Sequence, residues 1–131
     1  MTGVDVVTEV SDSSLQGALR LGAALLSVAL PLGLNFGGAQ PVAVGLFPWP
    51  WSKLVHAAVF GVLAASVAYA SGLRGWRMVV LGFSASVLVG ALDEWHQTHL
   101  PGRNGQLSDV GFDAVGAAIG VWITHRSVPS R

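Results

Sequence analysis

The order of apolar and polar positions divides the chain into long apolar stretches joined by short polar segments. From Leu21 to about Ala39 the only polar side chains are Ser27 and Asn35. About 20 apolar residues, each rising ~1.5 Å, cross a ~30 Å hydrocarbon core, which predicts a first transmembrane helix over about 18–38. Pro31 lies inside it and removes one backbone hydrogen bond, a kink candidate of a kind that lipid-embedded helices tolerate. Residues 40–52 combine Pro41, Pro48 and Pro50 with Phe47, Trp49 and Trp51, a composition for a loop lying in the headgroup layer. Ser52 is placed to cap a second helix, about 53–71, whose polar residues include Lys53, His56, Ser66 and Tyr69, and Gly72 stops it. A hinge with Arg74 and Arg77 leads to a third helix, about 76–95. The polar segment 96–108 leads to a fourth, about 109–125. The apolar runs Met78–Leu92 and Val115–Thr124 are short for a bilayer, so tilt and polar ends have to complete these last two spans. The first 17 residues, with Asp5, Glu9 and Asp12, lack the basic start and apolar run of a secretory signal and read as a mobile polar tail. Residues 127–131 read as a C-terminal tail. The expected fold is all-α: an integral membrane bundle of four transmembrane helices filling residues 18–126.

Composition agrees with this and narrows the chemistry. Only 11% of the 131 residues are charged and 52% are apolar, with a mean hydropathy of +0.60. A soluble bundle needs a charged outer face, and these helices are apolar all round. Seven Lys and Arg balance seven Asp and Glu, so there is no basic surplus for a nucleic-acid backbone, and nucleic-acid partners are excluded. Without cysteine there is no disulfide framework or thiol nucleophile. Charge also orients the bundle. Arg20, Arg74, Arg77, Arg126 and Arg131 fall on the side of the termini and Lys53 and Arg103 on the other, which places both termini in the cytoplasm.

The remaining polar groups then collect near the outer face. Ionisable side chains at membrane depth are costly and by default mark a site. Gly82, Ser86, Gly90 and Glu94 recur every fourth residue on the third helix, and Asp109, Asp113, Gly116 and Gly120 form a comparable row on the fourth, ending in a GxxxG pattern. Packing of these two rows against each other brings Glu94 and Asp113 into one interior space, with His56 beside it. Asp93 and Glu94 lie at a helix C-terminus and Lys53 at an N-terminus, each at the unfavourable end of a dipole. Lys53 and Arg103 placed against the carboxylates, or Lys53 on an anionic headgroup, relieve that cost. Pro101-Gly102-Arg103-Asn104-Gly105 is a turn-rich loop whose guanidinium suits a carboxylate or phosphate. The candidate ligand-binding set is Lys53, His56, Asp93, Glu94, Gln97, Arg103, Asp109 and Asp113. His56, Glu94, His96 and Asp113 could ligate a metal chemically, but no short ligand spacing supports it, so neither metal nor other cofactor is expected.

The run Trp51-Ser52-Lys53-Leu54-Val55-His56 with Phe60, then Asp93-Glu94-Trp95-His96-Gln97, then Pro101-Gly102-Arg103, then Asp109, Asp113, Gly116 and Gly120, resembles the VanZ-like family over about residues 20–125. Two departures stand out: Ser52 occupies a place where the family commonly has Asp, and Asp113 one where Asn is frequent. The resemblance implies a multi-pass protein of the bacterial inner membrane, linked to low-level glycopeptide resistance of the teicoplanin type.

Three functions compete. The first is binding of a membrane lipid or lipid-linked cell-wall precursor, its phosphate on Lys53 and Arg103 with Glu94 and Asp113 positioning them. The second is a membrane enzyme, a hydrolase or transferase acting on a lipid phosphate or ester, with Glu94 or His96 as base, His56 as acid and the cations stabilising developing charge. The third is a scaffold whose polar cluster only sets helix register for a partner membrane protein. Oligomeric state leaves no mark on the sequence.

Overall fold

The computed structural model describes residues 3–40 and 45–128, and among them every regular element is helical. The helices are α1 (Gly3–Gly38), α2 (Trp51–Ala70), α3 (Gly75–Gln97) and α4 (Leu107–Ser127). Each is long and apolar enough to cross a membrane, α1 through its segment Asp12–Gly38. The all-α, four-span bundle expected from the sequence is therefore the fold. Pro41 and the tail from residue 129 lie outside the described residues.

The boundaries shift for local reasons. α1 starts at Gly3 and not near residue 18, so the stretch read as a polar tail is helical. Residues 4–16 contain neither Pro nor Gly to break the run, and extending a helix that the apolar segment has already nucleated needs no second nucleus. α2 begins at Trp51 behind Pro50, so Ser52 sits within the first turn and does not cap it. α3 runs two residues past Trp95, and α4 starts at Leu107, with Gln106 preceding it and no side-chain cap. Gly72, at φ +67°, ends α2 as expected.

The centre of the bundle is built from small residues. Among the described residues the buried apolar side chains are Phe60, Leu63, Ala64 and Ala68 of α2, Met78 of α3, and Ala117 and Val121 of α4. A Cβ on Gly61 would stand 2.9 Å from the Gly116 carbonyl oxygen, and one on Gly116 or Gly120 would overlap the backbone of Ala57 or Gly61. The two glycines of the α4 row thus pack against α2, whereas the row meets that of α3, as expected, where Asp113 faces Gly90. α2 offers a matching face in Ala57, Gly61, Ala64 and Ala68. The α3 row closes the groove from the other side. A Cβ on Gly82 would lie 2.7 Å from the Ala64 carbonyl oxygen, and Ser86 Oγ donates to the Phe60 carbonyl at 2.8 Å. Lipid gives little hydrophobic drive between helices, so close packing and such interhelical hydrogen bonds carry the association.

α2 and α4 run parallel, matched as Lys53 with Asp109, His56 with Asp113, Ala57 with Gly116 and Gly61 with Gly120. α3 runs the other way, its final turn held against the start of α4 by a hydrogen bond from Gln106 to Glu94. α1 follows α3 in direction, because the carbonyl of its last residue, Gly38, meets Arg103 in the loop before α4. At the opposite end the Arg20 side chain reaches Gly72. α1 is peripheral: the apolar window of its span has no buried residue, and Leu25 and Phe36 are 63% and 71% exposed, as suits lipid-facing positions. The ends of α1 and α3 and the starts of α2 and α4 therefore gather at one end of the bundle.

Candidate functional site

That end holds Lys53, His56, Asp93, Glu94, Arg103, Asp109 and Asp113. Lys53, in the first turn of α2, forms an ion pair with Asp109 in the first turn of α4. Its ammonium also donates to Gln106 Oε1 and Ser108 Oγ, both at 3.3 Å, which engages its three N–H groups. One turn deeper, His56 Nδ1 lies 3.0 Å from Asp113 Oδ1. Asp113 is fully buried, and its second oxygen, Oδ2, has no hydrogen-bond partner among the described residues. Oδ2 faces α3 at Gly90, where a Cβ would stand only 2.6 Å away. The glycine is what leaves room for the carboxylate.

Glu94 lies one turn beyond Gly90 and is 5% exposed, as is Asp93. Glu94 Oε2 accepts the Gln106 backbone N–H at 2.7 Å, so the carboxylate pins the start of α4. Gln97 Nε2 donates to Asp93 Oδ2 at 2.8 Å and reaches Glu94 Oε1 at 3.5 Å. Gln97 Oε1 in turn accepts from Arg103 Nη1 at 3.3 Å, while Arg103 Nη2 donates to the Gly38 carbonyl at 2.8 Å. Arg103 Nε is buried without a partner among the described residues. The loop that carries Arg103 is shaped by its own sequence. Arg103 N–H closes onto the Leu100 carbonyl at 3.2 Å, with Pro101 and Gly102 between them and Gly102 at φ +76°, the arrangement of a type II turn. Gly105 rests on the Glu94 backbone, so this loop folds back on its own helix.

The structure brings most of the residues singled out in the sequence to one end of the bundle but pairs some of them differently. One of the two expected arrangements set Lys53 and Arg103 on Asp93 and Glu94. Lys53 instead joins Asp109, and Arg103 reaches the acids only through the Gln97 amide. His96 is not among the gathered groups, and its Nδ1 is buried without a partner among the described residues. His99 turns back to the Trp95 carbonyl at 2.9 Å. Gln106 and the Gly38 carbonyl were missed. A backbone contact such as the latter leaves no residue-type signal, whereas Gln106, an amide just before a helix start, was open to notice.

Above the His56–Asp113 pair opens a polar cleft of about 390 Å³ whose walls include Lys53, His56, Gln97, Arg103, Gln106 and Asp109. A second hollow of about 230 Å³ shares Ser52, His56, Gln97 and Arg103 with it and is otherwise lined by Leu34, Leu46, Phe47 and Val55 beside Asp93. The two form one amphipathic recess, charged on one side and apolar on the other, at which the uncapped starts of α2 and α4 both lie. A separate groove of about 350 Å³ along Gly61, Val62, Ile119 and Ile123 contains no ionisable side chain.

Residues 11–127 match the family model described as VanZ/LLP1. No curated protein and no solved structure matches the chain.

Proposed function

Since this chain belongs to the VanZ/LLP1 family, we propose that its amphipathic recess binds the phosphate headgroup of a membrane lipid or lipid-linked cell-wall precursor at the outer face of the bacterial inner membrane. The observation that carries this reading is the sharing of Arg103, His56 and Gln97 by a charged and an apolar hollow. An amphiphile needs both at once. Arg103 is the group with donors to spare, since Nη1 and Nη2 each have one of their two N–H groups engaged. Lys53 contributes charge from its place beside Asp109. The starts of α2 and α4 add two positive dipole ends, the ordinary setting for a phosphate. Asp93, Glu94 and Gln97 act by positioning Arg103, and Asp113 by orienting His56. Occupancy of such a recess by a cell-wall lipid alters what a teicoplanin-type glycopeptide meets at the membrane surface.

Binding of phosphatidate or undecaprenyl phosphate to the purified protein, measured by native mass spectrometry, tests the proposal. Loss of a charge-assisted hydrogen bond costs about 1.5–3 kcal/mol, so Arg103→Ala is expected to weaken binding roughly 10- to 100-fold. Cells carrying that variant are expected to lose any teicoplanin tolerance the protein confers. Unchanged binding would refute the reading.

A second reading rests on the His56–Asp113 pair. An ionised Asp113 can only accept, so Nδ1 carries the hydrogen and Nε2 is left as a base on a residue that lines the cleft. This favours His56 over His96 as the general base of a hydrolase or transferase. Turnover of a lipid phosphate, abolished in His56→Gln while binding persists, distinguishes catalysis from binding alone.

A further inference from the structure

We propose that His56, Glu94 and Asp113 form a binding site for one divalent first-row metal ion, of which Zn²⁺ is the representative, buried behind His56, the one of the three that lines the recess. These residues come from three different helices, and each offers a ligand atom within 4.8 Å of the other two. An imidazole with two carboxylates is a donor set for zinc or manganese, with bonds of about 2.0–2.2 Å. His56 Nδ1 and Asp113 Oδ1, 3.0 Å apart, both fit on a sphere of that radius around one ion. Binding through Nδ1 needs the other neutral tautomer of His56, with the ring hydrogen moved from Nδ1 to Nε2, after which Nδ1 and Asp113 Oδ1 both have a lone pair for the metal.

Two further observations favour a cation among these three side chains. Asp113 is fully buried and its Oδ2 lacks a partner among the described residues, a state that buried carboxylates rarely keep. That oxygen faces the side of α3 that carries Gly90 and, one turn on, Glu94. The second observation is charge. This end of the bundle carries the four carboxylates of Asp93, Glu94, Asp109 and Asp113 against the two cations Lys53 and Arg103. Lys53 is taken up by Asp109, and Arg103 reaches the acids only through the Gln97 amide, so neither cation touches Glu94 or Asp113, and a divalent ion there would give both carboxylates a cationic partner. The metal site needs only the three side chains, so it stands apart from the headgroup reading while supplying the positive charge that reading requires.

The test uses the full chain in nanodiscs, stripped with chelator and titrated with Zn²⁺ alone, with Co²⁺ as a spectroscopic substitute. One Zn²⁺ per chain is expected, together with protein-dependent Co²⁺ absorption bands that Zn²⁺ abolishes. Loss of one ligand in Asp113→Asn or Glu94→Gln weakens Zn²⁺ binding about 100-fold, a typical share of a zinc site's total affinity. Arg103→Ala binds Zn²⁺ as well as the parent or more tightly while losing phosphatidate, which separates the two proposals. Where a variant fails to fold, the Co²⁺ spectrum of the unaltered chain decides. No stoichiometric Zn²⁺ and no Co²⁺ bands, or either ligand variant binding like the parent, would overturn the proposal.

Discussion

Substituting Gly116 by Ala tests the packing argument most sharply, because Gly111, on the same helix, supplies its control. Both changes replace the poorest helix former short of proline by the best, a gain of about 1 kcal/mol in a helix interior. At Gly111 a new Cβ meets nothing within 4 Å, so that gain stands alone. At Gly116 the same atom overlaps the Ala57 backbone, and real Cβ atoms essentially never come within 3.0 Å of a neighbour. The backbone carbonyl cannot swing aside as a flexible side chain would, so α2 and α4 have to part. Overpacking costs about 1–3 kcal/mol, and a gap of even 0.5–1 Å forfeits roughly a quarter to a half of the dispersion energy along the seam. The propensity gain is common to both, so Gly116→Ala is expected to be less stable than Gly111→Ala by the overpacking cost, about 1–3 kcal/mol. Reversible unfolding in mixed micelles, followed by circular dichroism, measures the difference. Parting the seam also draws Lys53 from Asp109 and His56 from Asp113, so headgroup binding falls in Gly116→Ala but not in Gly111→Ala. If Gly116→Ala proves as stable as Gly111→Ala, the close approach of α2 and α4 is wrong.

Ser86→Ala removes the buried hydrogen bond to the Phe60 carbonyl and is expected to lower stability by about 1 kcal/mol in the same unfolding assay. Glu94→Ala leaves the Gln106 N–H without its acceptor and costs about 1–3 kcal/mol, whereas Glu94→Gln keeps an oxygen that can accept and costs less. Hydrogen exchange at the first turn of α4 reads that contrast directly. A phosphatase reporter fused after Arg131 tests the cytoplasmic C-terminus that the arginine asymmetry predicts, and on that orientation it is expected to be inactive in bacterial cells. An active fusion reverses the orientation and puts the recess on the cytoplasmic face.

Much of this was legible in the residues. Apolar run length marked the four spans, and the cost of charge in lipid singled out His56, Glu94, Arg103 and Asp113 as partners in one region. Periodicity shows that a helix has a small-residue face but not which neighbour it meets. Gly116 and Gly120 were therefore assigned to α3 when Ala57 and Gly61 of α2 were the better match. Pairings failed for a similar reason. A dipole argument says that Lys53 and Glu94 need compensation, yet the compensating groups are Asp109 for one and a backbone N–H for the other. The start of α1 was misread because polarity was taken for irregularity, although nothing in residues 4–16 breaks a helix.

The parallel register of α2 and α4 makes the pair behave like a keyed shaft. Main chain bears on main chain at Ala57–Gly116 and Gly61–Gly120, and the polar pairs a turn above ride on that lock. One inserted or deleted residue between Lys53 and Gly61, or between Asp109 and Gly120, turns everything on one side of it by about 100° and slides it by ~1.5 Å. Such a change uncouples the lock from the recess even when every side chain survives. Lineages of this protein are therefore free to redecorate their lipid-facing surface, but these two short intervals have to keep their lengths.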